Sequence, residues 1–200
     1  MGLRETKMER ARQFIADKAF ELFVTQGYDH TTIEQISAAA EIGPRTLYRY
    51  YPTKEALVVN FVAEGLNTAM AAFLAQPDER PLPQALYAIV DSIEHTIETQ
   101  STRLIALYKI ADGTAALRAG LADQNWRWRQ QLAQEILRRT GDTRNAPFAA
   151  LTAAGTMNVI EVIVQTWVTS GGTAKAADIT RETLHLLHTD AIPVPTPAYS

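Results

Sequence analysis

The chain has 200 residues, of which 46% are hydrophobic and 20% charged, the mix of a globular protein with a sizeable core. It contains no cysteine, which excludes a disulfide scaffold, a cysteine-ligated zinc or iron–sulfur site and a thiol nucleophile. With 19 basic and 22 acidic residues the net charge is −3, which argues at first sight against a nucleic-acid partner. Any contact with nucleic acid would then depend on a local basic segment.

The sequence also predicts the cellular location of the protein. Its N-terminal segment is positively charged but has no apolar run behind it, so we expect no signal peptide. The most apolar stretch, 149–168, is interrupted by five polar residues, which a membrane span would rarely carry. These residues are Thr152, Thr156, Asn158, Glu161 and Gln165. We therefore expect a soluble, cytoplasmic protein with no membrane partner.

Two helices are predicted first. Apolar residues recur at helical spacing from Met8 to Phe23, and Gly27 stands where a helix commonly ends. Thr32 followed by Gln35 is typical of a capping box, which predicts a short second helix over 33–40.

Proline and glycine then set the next boundaries. Gly43 and Pro44 break the second helix, and proline suits the first position of a third helix, predicted over 44–50. Pro52 ends that helix, and Thr53 caps a long fourth helix predicted over 54–75. The first 60 residues therefore predict two helices, a tight turn and a third helix that leads into a long fourth one.

Beyond a proline-rich linker the pattern stays helical. Five further helices are predicted, over 84–99, 102–111, 122–139, 147–169 and 174–188. The last residues carry proline at every second position, which predicts an extended tail. The predicted fold class is all-α, with a small module over 1–54, a larger helical part over 55–190 and a Pro-rich tail over 191–200.

The third helix has a basic, hydroxyl-rich surface of the kind that contacts DNA. Its candidate residues are Pro44 at the first position, then Arg45, Thr46, Tyr48, Arg49 and Tyr50, with Lys54 following. No acidic residue lies between Glu41 and Glu55, so this segment has a local charge of +3. Lys and Arg attract phosphate, and Arg can also read guanine. A solvated charged face with its tyrosine rings packed inward is the alternative that these residues alone leave open.

Residues 8–57 resemble the N-terminal domain of the TetR family of bacterial transcriptional regulators. The resemblance is carried by Ile15, Ala19, Leu22-Phe23 and Gly27-Tyr28, by Thr31-Thr32-Ile33, Ile36-Ser37 and Ala40, and by the run from Thr46 to Leu57, TLYRYYPTKEAL. It implies a helix–turn–helix DNA-binding domain followed by a ligand-binding and dimerisation domain. It further implies a homodimer on a near-palindromic double-stranded DNA operator, released by a small-molecule effector and acting as a repressor rather than an activator.

The resemblance also assigns roles to individual residues. It implies that Thr32 and Lys54 contact phosphate, and that Arg45, Thr46 and Arg49 read bases. Tyr48 and Tyr50 would contact the DNA backbone or bases. The chain departs from the family pattern where Gly43, followed by Pro44, replaces the usual serine cap, and where Tyr51 replaces the usual phenylalanine. We expect Tyr51 to stay in the core with its hydroxyl at the edge.

The C-terminal part gives weaker signals for a ligand. Six residues are candidates for an apolar, aromatic-lined pocket and its polar contacts: Tyr108, Trp126, Met157, Asn158, Glu161 and Trp167. For the aromatic residues and methionine, ordinary core packing is the alternative. For Asn158 and Glu161, the alternative is a hydrogen bond at a dimer interface or a position at a solvent-exposed edge. The expected effector is an apolar or aromatic small molecule.

The resemblance implies that the last two long helices, 147–169 and 174–188, pair with those of a second subunit. His185 and His188 with Asp190 could formally bind a metal, but histidines at a helix C-terminus more often favour the helix dipole or solvent, so we expect no metal and no cofactor.

No motif for phosphate binding, an activated serine or a zinc protease is present, which argues against an enzyme. A ligand-independent or architectural DNA-binding protein and an all-α enzyme stay as alternatives.

Overall fold

A computed structural model describes the backbone of residues 3–141 and 145–189, which form nine helices without a strand. They are α1 (Leu3–Gln26), α2 (Ile33–Ala39), α3 (Pro44–Tyr50), α4 (Lys54–Leu74), α5 (Leu82–Thr99), α6 (Ser101–Gly113), α7 (Ala115–Thr140), α8 (Ala146–Thr169) and α9 (Ala176–His188). The all-α prediction is confirmed. Asp190 and the Pro-rich tail predicted over 191–200 lie outside the described residues.

Helices α1 to α3 and the start of α4 enclose the first core. From α1 this core takes Ile15, Phe20 and Phe23, which meet Ile36 of α2 and Leu47 of α3. All five side chains are buried. Ile15 and Phe23 belong to the apolar stripe predicted from the helical spacing, whereas Phe20 lies outside that stripe and Met8, which belongs to it, is exposed. The packing fixes α2 and α3 against one another as a helix–turn–helix unit.

Helix α4 belongs to both cores of the molecule. Its first turns place Leu57 and Val58 in the N-terminal cluster. Its later turns place Leu66, Met70 and Phe73 in the larger C-terminal cluster. The boundary predicted between residues 54 and 55 therefore falls at the start of a helix that is continuous through both parts.

Helix α7 begins at Ala115, seven residues before the start predicted at residue 122. Gly120, which resembles punctuation in the sequence, lies inside the helix. A Cβ at this position would come within 3.0 Å of Val59 Cγ2, so the glycine allows α7 to approach α4 closely. The predicted start of α7 was wrong because a glycine in a sequence commonly marks the end of a helix. Here the glycine is needed inside the helix, for a contact with a distant part of the chain.

Two long-range hydrogen-bonded contacts hold α7 in the C-terminal bundle. The buried Trp128 indole donates to the Leu66 carbonyl oxygen of α4 over 2.9 Å. Near the other end, the Arg139 guanidinium donates to the carbonyl oxygens of Gln76, Pro77 and Arg80 in the turn between α4 and α5. The Arg139 contacts satisfy polar backbone groups just beyond the end of α4 and fix the turn to α7.

Helices α4 and α8 are long and apolar enough to cross a membrane by length and composition alone. Each contributes side chains to the cores described above, and core helices of soluble proteins also meet this criterion. Their hydropathy is therefore weak support for a membrane span.

Candidate functional site

Local capping interactions set the position of α2. The Thr32 hydroxyl accepts a hydrogen bond from the Gln35 backbone N–H, and Gln35 Oε1 accepts one from the Thr32 N–H, at 3.2 and 2.9 Å. This is the predicted capping box, and it is confirmed. Gln26 at the end of α1 also donates to Gln35 Oε1 over 2.9 Å, which joins the two helices.

Lys54 supports the same corner from α4. Its Nζ donates to the carbonyl oxygens of Tyr28 and Thr31 over 2.6 and 3.0 Å, and lies 4.0 Å from the centroid of the Tyr28 ring. The side chain is half-buried, so these contacts form partly out of water. Lys54 thus holds the loop that precedes the N-terminus of α2.

The Tyr28 hydroxyl and the Glu55 carboxylate lie close to one another at this loop. Burial raises the pKa of the Tyr28 hydroxyl, and the neighbouring Glu55 carboxylate raises it further. Burial opposes ionisation of Glu55, yet its own backbone N–H, the nearby hydroxyls of Tyr28 and Thr53 and the charge of Lys54 hold its pKa below the usual range. Glu55 therefore stays ionised and adds to the stability of the corner.

Helix α3 buries one side chain and exposes its basic face. Leu47 is fully buried, whereas Arg45, Tyr48 and Arg49 are exposed, and Tyr48 keeps 49% of its surface in solvent. Thr46 and Tyr50 are half-buried beside them. Among the ion pairs of the described residues none involves Arg45 or Arg49, so both guanidinium groups are available to an anionic partner.

The turn before α3 uses two conformational features. Glu41 has a φ of 54°, in the left-handed region that non-glycine residues seldom adopt. Gly43 caps α3 without a side-chain hydrogen bond, and Pro44 occupies the first turn. The tight turn orients α3 so that its N-terminus and basic face point away from the core.

Tyr51 follows the last residue of α3 and lies in the core, as the sequence predicts. Its ring is buried, and its hydroxyl donates to the Arg12 carbonyl oxygen of α1 over 3.2 Å. The substitution of tyrosine for the usual phenylalanine therefore adds a bond between α1 and the C-terminus of α3.

A cavity of about 390 Å³ lies between the helices of the C-terminal bundle. Its wall is predominantly apolar, with contributions from α4, α5, α6 and α8 such as Phe61, Ile97, Leu104 and Ile160. This volume is within the range of small-molecule sites.

The structure separates the six candidate ligand residues into two groups. Tyr108, Met157 and Glu161 line the cavity. Trp126, Asn158 and Trp167 do not belong to its wall. Trp126 is 54% exposed and Asn158 lies on the exposed side of α8, whereas Trp167 is buried beside Gly172.

Polar residues at the cavity include three that the sequence did not single out: Asp112, Arg118 and Asn125. Asn125 Nδ2 donates to Glu161 Oε1 over 2.9 Å. Burial raises the pKa of the Tyr108 hydroxyl, and the charge of Glu161 raises it further. No local motif marks Asn125 or Arg118, because their positions depend on how α7 packs against α6 and α8.

Helix α6 contacts both the cavity and the DNA-binding module. Leu104, Leu107 and Tyr108 face the cavity. On the same helix the Arg103 guanidinium lies 2.8 Å from the Asp17 carboxylate of α1. A direct ion pair therefore joins α6 to α1.

The predicted absence of a metal site can be compared with the described histidines. His188 Nδ1 lies 2.6 Å from the Leu184 carbonyl oxygen, within its own helix. Among the described residues no group of three or more His, Asp or Glu side chains is arranged to hold a metal ion.

The helix–turn–helix unit with its exposed basic helix, joined through α4 and α6 to an all-α domain with a cavity, defines a two-domain DNA-binding regulator. Residues 15–60 match the family described as bacterial regulatory proteins, tetR family, and residues 80–191 match the family described as MftR C-terminal domain. The chain is a transcriptional regulator and belongs to the TetR family.

Named regulators are among its relatives. MftR of Mycobacterium tuberculosis, named for transcriptional regulation of mycofactocin biosynthesis, is 30% identical over 144 residues, 72% of each chain. IcaR of Staphylococcus epidermidis, a negative transcriptional regulator of the biofilm operon icaADBC, is 25% identical over 76% of this chain and 80% of its own. TcmR of Streptomyces glaucescens is 41% identical over 80 residues. This match spans 40% of this chain and 34% of the length of TcmR.

Solved structures share the fold at low sequence identity. A TetR-family regulator from Syntrophomonas wolfei superposes with a TM-score of 0.70 at 19% identity, over 94% of this chain and 97% of its own. FadR from Bacillus subtilis, solved in complex with stearoyl-CoA, superposes with a TM-score of 0.64 at 16% identity, over 88% and 97%. At these identities the likeness establishes the fold alone.

Proposed function

We propose that the protein is a homodimeric repressor that binds a near-palindromic operator through α3 and is released by a small-molecule effector in the C-terminal cavity. The observation that carries this proposal is the exposed basic face of α3, where Arg45 and Arg49 have no ion-pair partner among the described residues. Its position at the surface of a packed helix–turn–helix unit suits insertion into the major groove.

The proposed DNA contacts follow from exposure and chemistry. Arg45, Thr46 and Arg49 read bases, since arginine can bond guanine through two parallel hydrogen bonds. Tyr48, Tyr50 and the first turn at Pro44 lie against the DNA backbone or bases. Thr32 contacts phosphate through its exposed side chain, while Lys54 acts chiefly by holding the loop before α2.

The outward face of α8 supports a homodimer. Exposed residues recur along it at alternating spacings of three and four, the pattern of a helix that packs lengthwise against another helix. They are Phe148, Leu151, Gly155, Asn158, Val162, Gln165 and Thr169. Leu186 and Leu187 of α9 add further exposed apolar surface. We propose that this surface pairs with the same surface of a second copy.

The proposed release mechanism depends on α6. An effector that prefers one arrangement of α6 shifts the equilibrium towards it, and the Asp17–Arg103 ion pair passes this shift to α1. In a dimer, such a movement changes the distance between the two α3 helices. An effector with equal affinity for both arrangements would leave the DNA affinity unchanged. No enzymatic activity, cofactor or membrane is part of this proposal, and the site of action is the cytoplasm.

The test is a mobility-shift titration with the DNA upstream of the protein's own coding sequence and with random DNA of equal length. Arg45→Ala should cost about 1–3 kcal/mol on the specific site and much less on random DNA. The matched control is Arg127→Ala, which removes an exposed arginine of α7 outside the proposed face. Equal losses on both DNAs with Arg45→Ala would contradict base reading by this residue.

A further inference from the structure

Three charged side chains lie among the residues that line the otherwise apolar C-terminal cavity. Two carboxylates, Asp112 and Glu161, lie among the lining residues with one arginine, Arg118. The balance of these three groups is therefore −1 if all are ionised.

Arg118 is exposed at the end of α6 and is held there by backbone contacts. Its Nη1 donates to the carbonyl oxygens of Ala111 and Asp112 over 2.8 Å each, at the C-terminal end of α6. These are carbonyls that a helix end leaves without an intrahelical donor, and a cation is favourable there. These two bonds place the guanidinium at the C-terminal end of α6, and it forms no ion pair among the described residues.

The carboxylates have no such cationic partner. Among the ion pairs of the described residues, none involves Asp112 or Glu161. Glu161 is exposed to solvent, so it lies at the mouth of the cavity, and it accepts a hydrogen bond from the neutral Asn125 side chain, which orients the carboxylate without adding a positive charge. The Tyr108 hydroxyl lies within the influence of the same charge.

From this arrangement we infer that the effector is an apolar molecule carrying a protonated amine, with its ammonium group at Glu161 and Tyr108 and its apolar part among the side chains of α4, α5 and α8. An ammonium group at the mouth of the cavity can form an ion pair with Glu161, which has no cationic partner among the described residues. A carboxylate or phosphate placed at Glu161 would be repelled by it, whereas Arg118, the one arginine or lysine among the described lining residues, is held at the carbonyls of α6. This inference rests on the cavity being the effector site of the proposed function.

Three probes of equal chain length separate charge from apolar fit: decylamine, 1-decanol and decanoate, each at a concentration at which it is dissolved as a monomer. Their binding to the full chain without DNA is measured by calorimetry. We expect decylamine to bind at least tenfold more tightly than decanoate, with 1-decanol between them. Equal affinities, tighter binding of decanoate or binding of none of the three would overturn the inference.

A pair of variants identifies the group that recognises the amine. Glu161→Gln keeps the size of the side chain and should weaken decylamine by about fivefold to tenfold while changing 1-decanol by less than twofold. Glu79→Gln removes the same charge from an exposed turn outside the cavity and should change neither. Equal weakening by both variants would overturn the role of Glu161.

Failure of this inference is distinguishable from failure of the proposed function. Operator binding by the unliganded wild-type protein tests the DNA-binding proposal and does not depend on the effector's charge. If the operator is bound while decanoate is preferred to decylamine, the proposed DNA-binding function is supported and the inference of an amine effector is contradicted. If the operator is not bound at all, the proposed function itself is contradicted.

Discussion

The Asp17 carboxylate of α1 and the Arg103 guanidinium of α6 lie 2.8 Å apart and join the DNA-binding module to a wall of the cavity. Both side chains are largely withdrawn from water, with 34% and 24% of their surfaces exposed, and Arg103 also lies over the Phe20 ring at 5.7 Å. The pair thus connects two elements that the proposed mechanism requires to move together.

A double-mutant cycle measures this connection. Asp17→Asn, Arg103→Gln and the double variant should give a coupling energy of about 1 kcal/mol in chemical unfolding, because the pair is partly shielded from solvent. The exposed pair within α1, Lys18–Glu21, provides the control and should give a smaller value. A coupling near zero for Asp17 and Arg103 would remove the ion pair from the proposed transmission.

Replacement of Lys54 distinguishes a supporting role from a phosphate contact. Lys54→Met removes the donor to the Tyr28 and Thr31 carbonyl oxygens and should lower the free energy of unfolding by about 2 kcal/mol. DNA affinity should fall while its salt dependence keeps the same slope. Unchanged stability with a slope shallower by about one unit would instead indicate that Lys54 neutralises a phosphate.

Adjacent arginines near the end of α7 should differ sharply in their effect on stability. Arg139 is 4% exposed and donates to three carbonyl oxygens, so Arg139→Met should cost about 2 kcal/mol. Arg138 is 55% exposed, and Arg138→Met should change little. Thermal and chemical unfolding of the two variants test the difference, and similar losses would contradict the anchoring role of Arg139.

Glu55 makes the N-terminal module sensitive to acid. Its pKa is lower in the folded than in the unfolded chain, so its contribution is present above its unfolded pKa and is lost as the pH falls through its folded pKa. Glu55→Gln should therefore reduce the loss of stability on acidification below about pH 4.5. Unfolding curves at a series of pH values check this, and an unchanged acid slope would show that Glu55 does not contribute.

Local chemistry made much of the fold predictable. The capping box of Thr32 and Gln35 and the left-handed Gly27, with a φ of 88°, are set by residues close in sequence. The start of α7 was missed because the requirement at Gly120 comes from Val59, which is distant in sequence. Periodicity also could not separate Trp167 in the core from Tyr108 at the cavity, since an apolar helical stripe predicts burial but not the presence of an empty space behind it.

Leu66 gives the cavity an optical reporter. Its side chain lines the cavity, and its carbonyl oxygen accepts the hydrogen bond from the buried Trp128 indole. A molecule that displaces Leu66 therefore perturbs an indole in an apolar environment, whose emission lies at shorter wavelength than that of the solvent-exposed Trp126. An aqueous quencher such as iodide suppresses the Trp126 signal preferentially and leaves the two buried indoles, Trp128 and Trp167. A change on ligand binding that persists in a Trp167→Phe variant therefore reports occupancy of the cavity through Trp128.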